Sequence, residues 1–297
     1  MIDRSRGRFA GLLLASVVVV WGANWPILKM GLAHTSPLWF AVLRMVLGVL
    51  SFAAVLAPMG RLKLPAREDW PVVWTVSVLQ MAAFSALINV ALMSVPAGRS
   101  AILAYTTPLW VTPGAVLFLG ETLTRARMIG LALGLAGVAV LFNPLTFDWS
   151  DPASVWGNVM LMAAALAWAA AILHVRGHRW VGSPLELAPW QMLLATPPLV
   201  LLAWLVEGPP HADMSPTFLW VAAYNGPLAT AFAFWAAITV NRMLPAITVS
   251  LAFLCVPVGG LVFSALLLGE SLSAGNLLGL ALVAAGVAVV AVGDARR

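Results

Sequence analysis

The chain is a succession of apolar runs, each long enough to cross a bilayer as a helix, separated by short polar breaks. About 20 apolar residues span the hydrocarbon core, and a helix satisfies its own backbone there. The runs lie at 9 to 32, 36 to 57, 70 to 93, 98 to 118, 125 to 143, 154 to 176, 184 to 206, 217 to 240, 245 to 268 and 274 to 293. They predict an all-α integral membrane protein with ten transmembrane helices. Of the residues, 62% are hydrophobic and 9% charged, against about a quarter charged in soluble domains. That leaves no room for a separate catalytic or ATP-binding module. The run from Phe9 to Leu32 behind Arg4, Arg6 and Arg8 is long enough to read as an uncleaved first helix rather than a secretory signal.

The basic residues sit in every second connection: Arg4, Arg6 and Arg8; Arg61, Lys63 and Arg67; Arg125 and Arg127; Arg176 and Arg179; Arg242; Arg296 and Arg297. That alternation predicts an even number of spans with both termini cytoplasmic. The net charge of +5 therefore reports topology, not a nucleic-acid partner. The single Cys255 excludes an intrachain disulfide and a multi-cysteine metal cage.

The chain also repeats itself. Gly120-Glu121-Thr122-Leu123 returns as Gly269-Glu270-Ser271-Leu272, Gly130 and Gly137 return as Gly279 and Gly286, and Pro96 and Pro108 as Pro245 and Pro257. Nearer the start, Trp21, Lys29 and Ser36-Pro37-Leu38 return as Trp168, Arg176 and Ser183-Pro184-Leu185. Five spans per half is an odd number, so the second half enters the membrane with opposite polarity. The expectation is two five-helix inverted repeats, 1–148 and 149–297. Such repeats are an architecture of secondary transporters, with the substrate near the midplane where they meet.

These features resemble the drug/metabolite transporter superfamily, in its ten-helix group built from two EamA-type domains. The resemblance rests on Trp21-Gly22-Ala23-Asn24-Trp25 with Lys29, on Leu43-Arg44, and on the run from proline through Gly-Glu to glycine that ends each half. It implies export of small metabolites across the bacterial inner membrane. The aromatic content points within it to the aromatic amino-acid exporter branch. The second half departs from the pattern, with Trp168-Ala169-Ala170-Ala171 in place of a Trp-Gly-x-Asn.

Polar residues inside spans are costly and tend to face a cavity or a neighbouring helix. Arg44 lies eight residues into the second span, about 12 Å deep at 1.5 Å per residue, where a substrate carboxylate would offset its cost. Helix-end carbonyls or outward snorkelling are the alternative. Trp21, Asn24, Gln80, Tyr105, Trp168, Tyr224 and Asn225 form an uncharged, aromatic-rich set that suits a zwitterion with an apolar side chain, or else serves interhelical packing. Lys29 and Arg176 are expected near opposite faces, as headgroup anchors or gates. Pro108 and Pro257 are the expected hinge pair. Trp39, Trp70, Trp156, Trp180 and Trp220 read as interfacial belts. The GxxxG spacings at Gly130 to Gly134 and Gly275 to Gly279 read as close helix packing, with self-association the alternative.

No GxxxxGK[ST] occurs, and every Asp and Glu falls in a loop or near a span end, so no mid-membrane acid relays protons. Efflux or exchange down the substrate gradient is the expected mode, with no cofactor. His174 and His178 have a metal-compatible spacing but no third ligand, and are expected to be a solvated pair. The competing readings are a transporter of nucleosides, drugs or a polyamine-like cation, and an intramembrane enzyme or structural protein. An acidic cavity would favour the cation, and a nucleophile with its base would favour the enzyme. The sequence holds neither.

Overall fold

Serine or aspartate followed by proline opens helix after helix in this chain. Ser36-Pro37, Asp151-Pro152, Ser183-Pro184 and Ser215-Pro216 each place an extended residue before a proline in the first turn. The missing N–H of the proline has no intrahelical partner to lose there. Glycine closes the corners: Gly120 and Gly269 have φ of 65° and 66°, a left-handed conformation that side chains resist. At the second corner Gly269 N–H reaches Ala265 O and Glu270 N–H reaches Ser264 O, satisfying carbonyls the helix end leaves open.

The computed structural model describes residues 4–120, 124–142, 150–243, 252–253 and 255–295. Among them, ten helical rods follow one another. These are α1 (Arg4–Gly31), α2 (Pro37–Leu56), α3 (Arg67–Ala91), α4 (Ala97–Leu119), α5 (Arg125–Phe142), α6 (Pro152–Gly177), α7 (Pro184–Glu207), α8 (216–243), α9 (Cys255–Leu268) and α10 (Ala274–Ala295). Of these α1, α2, α3, α4, α6 and α7 are long and apolar enough to cross a membrane by themselves. The extended structure among the described residues is one bridge, Thr35 to Ala212. Glu121 and Pro245 of the repeat lie outside the described residues, as does the expected start of α9.

Three rods are irregular where the apolar pattern shows no break. Val76–Ala83 of α3 and Tyr224–Phe232 of α8 are π-helical, a widening frequent at functional sites. Within α4, Ala97–Ala104 and Thr107–Leu119 are separated by a turn at Tyr105 and Thr106. Pro108 has no N–H for the carbonyl of Ala104, and the Thr107 hydroxyl donates to that oxygen instead, at 3.0 Å.

Lipid gives apolar helices no hydrophobic reason to associate, so packing must come from close fit and polar ties. A Cβ on Gly130 would stand 2.5 Å from Gly286 O, one on Gly286 2.5 Å from Gly130 O, and one on Gly137 2.9 Å from Gly279 O. In sequence Gly130 repeats as Gly279 and Gly137 as Gly286. Each glycine of α5 thus touches the repeat mate of the other. These glycines pack within the chain. Glycine also lets α1 meet α9, where a Cβ on Gly22 would lie 3.2 Å from Gly259 Cα. Leu12, Leu117, Phe118, Leu205 and Leu266 point outward, 71% to 78% exposed, as lipid-facing side chains do.

Candidate functional site

The helix ends are held by acids. Glu270, in the turn between α9 and α10, reaches across to α4. Its Oε1 accepts from Ala97 N–H at 2.7 Å and its Oε2 from Gly98 N–H at 2.9 Å. Both amides belong to the first turn of α4, where no intrahelical carbonyl is available and the helix dipole favours a negative charge. Lys29 Nζ, at the end of α1, completes the arrangement, 3.3 Å from Glu270 Oε1 and 3.2 Å from Val95 O. A cavity of about 170 Å³ lies beside it, lined by Pro96, Leu261, Glu270, Ser271, Leu272 and Asn276. On the same face Glu207, at the end of α7, accepts from Leu38 and Trp39 N–H at the start of α2. Between the spans, His34 Nδ1 lies 2.7 Å from Asp213 Oδ2. The Ser215 and His34 side chains hold the Asp213 carboxyl down to about 2.

The opposite face has its own ties. Asp69, wholly buried at the start of α3, accepts from Val181 N–H at 3.1 Å and Gly182 N–H at 2.7 Å, with His178 Nε2 at 3.0 Å. Arg61 pairs with Glu186 at 3.2 Å. The Trp190 indole donates to Lys63 O at 2.7 Å. The α2–α7 contact is therefore tied at both membrane faces.

Between these ends lies a stratum of buried polar groups that are left open. Arg44 in α2 is only 9% exposed, and its Nε and Nη1 have no hydrogen-bond partner. It shares a helix face with Leu47 and Gly48, which meet Gly226 and Thr230 of the π-helical stretch of α8. Next to Gly226 is Asn225, fully buried, with Nδ2 donating to Val221 O and Oδ1 unpartnered. The wide turn here is closed by Thr230 Oγ1 donating to Asn225 O at 2.7 Å. Asn24 of α1 is likewise buried with Oδ1 unpartnered. A burial cost with nothing to offset it recurs in these groups, at the depth where α1, α2 and α8 meet.

Trp21 and Tyr224 flank this stratum, but their polar atoms are committed. The Trp21 indole donates to Ala229 O at 3.0 Å and the Tyr224 hydroxyl to Val20 O at 2.6 Å. Their donors are therefore spent, and what each can offer a ligand is ring surface and, for Tyr224, a hydroxyl oxygen that can accept. Trp168 of α6 stands edge-on to Phe84 of α3, ring centroids 4.5 Å apart. Phe84, Tyr105 and Tyr224 all pack on one core cluster that includes Trp25, Phe40 and Ile102. Gln80 is half-buried in the π-helical stretch of α3, one turn from Ser77, whose hydroxyl donates to Gln191 O of α7. Pro257 is buried in the first turn of α9. Pro108 opens the second segment of α4.

Two expectations need correction. Of the two readings of Lys29, the headgroup anchor gives way to a contact with Glu270 of the second half, while its repeat mate Arg176 is exposed at the end of α6. His174 and His178 are not a solvated pair, because Asp69 binds His178 and the Thr75 hydroxyl lies 2.6 Å from His174 Nδ1. Among the described residues no group of three His, Cys, Asp or Glu could hold a metal ion. Sequence reading also passed over Asn89 and Asn158, buried amides of α3 and α6 with Oδ1 unpartnered. Both carry the signal that marked Asn24, an amide in an apolar run. Trp39 and Trp180, expected in interfacial belts, donate to Gly208 O and Val175 O.

The sequence matches the EamA-like transporter family over residues 8–143 and again over residues 155–292. A probable amino-acid metabolite efflux pump of Salmonella typhimurium is 29% identical over 291 residues, 93% of each chain. An uncharacterized transporter of Bacillus subtilis is 26% identical over 92% of this chain and 94% of its own length. A probable terminal-alkyne amino-acid exporter of Streptantibioticus cattleyicolor is 28% identical over 43% of each chain. One crystal structure superposes at a TM-score of 0.66 over 99% of both chains with 23% identity, which shows a common fold. The names these relatives carry are those of transporters and efflux pumps, not of enzymes.

Proposed function

Since this chain belongs to the EamA-like transporter family, a multi-pass membrane transporter of the drug/metabolite type, we propose that it exports neutral, chiefly aromatic, amino acids or their close derivatives. In this reading residues 1–148 and 149–297 are inverted repeats that expose a midplane site to each side in turn. The termini are cytoplasmic, the membrane is the bacterial inner membrane, and the Glu270 face is external.

The observation that carries the reading is Arg44, a guanidinium buried at mid-depth with Nε and Nη1 unpartnered. A carboxylate would supply the missing acceptors, with a fork geometry that arginine matches. The amide oxygens of Asn24 and Asn225, open in the same stratum, would accept from the substrate ammonium. The rings of Trp21, Tyr105, Trp168 and Tyr224 would face its side chain, Gln80 would line the cavity, and Pro108 and Pro257 would flex. The names of two relatives, a probable amino-acid metabolite efflux pump and a probable terminal-alkyne amino-acid exporter, support the same substrate class. No Asp or Glu falls at the middle of a span, so transport runs down the substrate gradient or by exchange.

The test is counterflow in proteoliposomes preloaded with phenylalanine, following labelled phenylalanine, tryptophan, methionine and threonine with and without a pH gradient. Transient accumulation of label without the gradient is expected. Failure for all four substrates by folded, inserted protein would refute the amino-acid assignment and turn the search to nucleosides and drugs.

A further inference from the structure

Two interfaces between the halves are built differently. The α2–α7 contact is tied at both faces, by Glu207 on the first turn of α2 and by Arg61 with Glu186 near the start of α7. The α4–α9 contact is made of small and apolar residues. A Cβ on Gly260 would stand 2.6 Å from Ala101 Cβ and one on Gly98 2.8 Å from Leu261 Cδ2. Its charged tie among the described residues is Glu270, at one end. Where a carboxylate closes a contact at one face, the contact loosens at that face when the carboxylate lets go.

We propose that Glu270, the Ala97 and Gly98 amides of α4, and Lys29 of α1 form a releasable gate that closes the transport pathway at this face. Three elements converge on one carboxylate, so its departure removes at once the polar ties of this turn to α4 and to α1. The gate stands where opening admits water: the side chains of Lys29 and Glu270 are 32% and 18% exposed, and the cavity beside them borders Glu270 and Pro96. Water can therefore solvate the two amides, the ammonium and the carboxylate once they part, and release does not strand charge in hydrocarbon. The carboxylate is specifically required. An amide side chain could accept one hydrogen bond from the first turn but offers neither the second oxygen nor the charge that Lys29 and the helix dipole favour. The inference rests on transport by alternating exposure, but its test needs no substrate, so a wrong cargo would leave the result intact.

Ser264 serves as the reporter. It is fully buried on α9, one turn from Leu261 and on the face that α9 turns to α4. With Cys255→Ser removing the native thiol, Ser264→Cys is labelled by a membrane-impermeant maleimide only when this face opens. Glu270→Gln should raise the labelling rate at least tenfold. Lys29→Gln, which leaves both amide bonds in place, should raise it about threefold. The exchange Lys29→Glu with Glu270→Lys restores an ion pair but points an ammonium at the α4 amides, and should stay as fast as Glu270→Gln. Unchanged labelling in well-folded Glu270→Gln would overturn the gate and leave Glu270 as a helix cap. Should Glu270→Gln fail to fold, Lys29→Gln decides alone, and a rate equal to the parent's overturns the proposal.

Discussion

Replacing Arg44 by methionine should change stability and transport in opposite directions. A guanidinium at the centre of a span costs about 2.5 to 3.5 kcal/mol on insertion scales. That is an upper bound for the folded protein, because an unfolded chain in the membrane also finds partners for its arginine. With Nε and Nη1 unpartnered and the residue 9% exposed, most of this cost is uncompensated in the empty protein. A methionine of similar length fills much of the same volume without it. The melting temperature of the purified, substrate-free protein should therefore rise by a few degrees, at about 2–4 °C per kcal/mol for a chain of this order of size. Transport should respond the other way. A hydrogen bond to a charged group is worth about 1.5–3 kcal/mol, so the half-saturation concentration for a carboxylate substrate should rise by roughly 10- to 150-fold. Arg44→Lys keeps the charge but loses the fork, and should fall between. Thermal melts in detergent and counterflow in proteoliposomes read the two effects separately. A melting temperature that falls while counterflow is unchanged would refute the reasoning and make Arg44 a structural residue.

Other perturbations test the frame around that site. Gly286→Ala places a methyl 2.5 Å from Gly130 O and 3.0 Å from Gly134 N, so α5 and α10 must separate; a loss of about 1–3 kcal/mol should appear as a lower melting temperature. Asp69→Ala strands His178 and two backbone amides in a buried pocket, and should cost on the order of 3 kcal/mol in the same assay. Asp213 has its folded-state pKa depressed to about 2 by Ser215 and His34. Its stabilisation is accordingly complete above the ordinary carboxylate value, near 4, and is lost as pH falls through 2. The melting difference between wild type and Asp213→Asn should shrink as pH falls from 4 toward 2. Trp168→Ala removes the edge contact with Phe84 and should change the ranking of tryptophan against methionine in counterflow, with little effect on threonine.

Much of the frame could be read from sequence because its causes are local. Span lengths follow from apolar runs, helix starts from Ser-Pro and Asp-Pro, and the corner at Gly269 from the one residue type that accepts its backbone angle. The helices begin and end within a few residues of the expected limits wherever both are described. What escaped is decided by contacts distant in sequence. Nothing near Glu270 says that its carboxylate will cap a helix 173 residues away, and nothing near Asp69 says that it will be sealed under the α6–α7 connection. The π-helical stretches have no shared composition: one holds Gly226 and Pro227, the other Gln80 and no breaker at all. They occupy corresponding places in the two halves, which neither stretch displays alone. Among the site candidates, Arg44, Asn24 and Asn225 could be found as polar residues in apolar runs. That Trp21 and Tyr224 spend their donors on backbone carbonyls depends on how α1 crosses α8.

The distribution of unsatisfied groups is the physical reason for placing function in the middle of the molecule. At the faces, acids meet amides or cations: Glu270 with Ala97 and Gly98, Glu207 with Leu38 and Trp39, Asp69 with Val181 and Gly182. Those sites lie nearest to water, where an open group would cost least. Open amide oxygens occur near one face too, at Asn89 and Asn158, and at mid-depth such groups stand with an open guanidinium. Arg44, Asn24 and Asn225 are left with open donors or acceptors where the cost of leaving them so is greatest. In the proposed function a zwitterion would complete this interior for part of the cycle, supplying both the acceptors that Arg44 lacks and the donors that Asn24 and Asn225 lack.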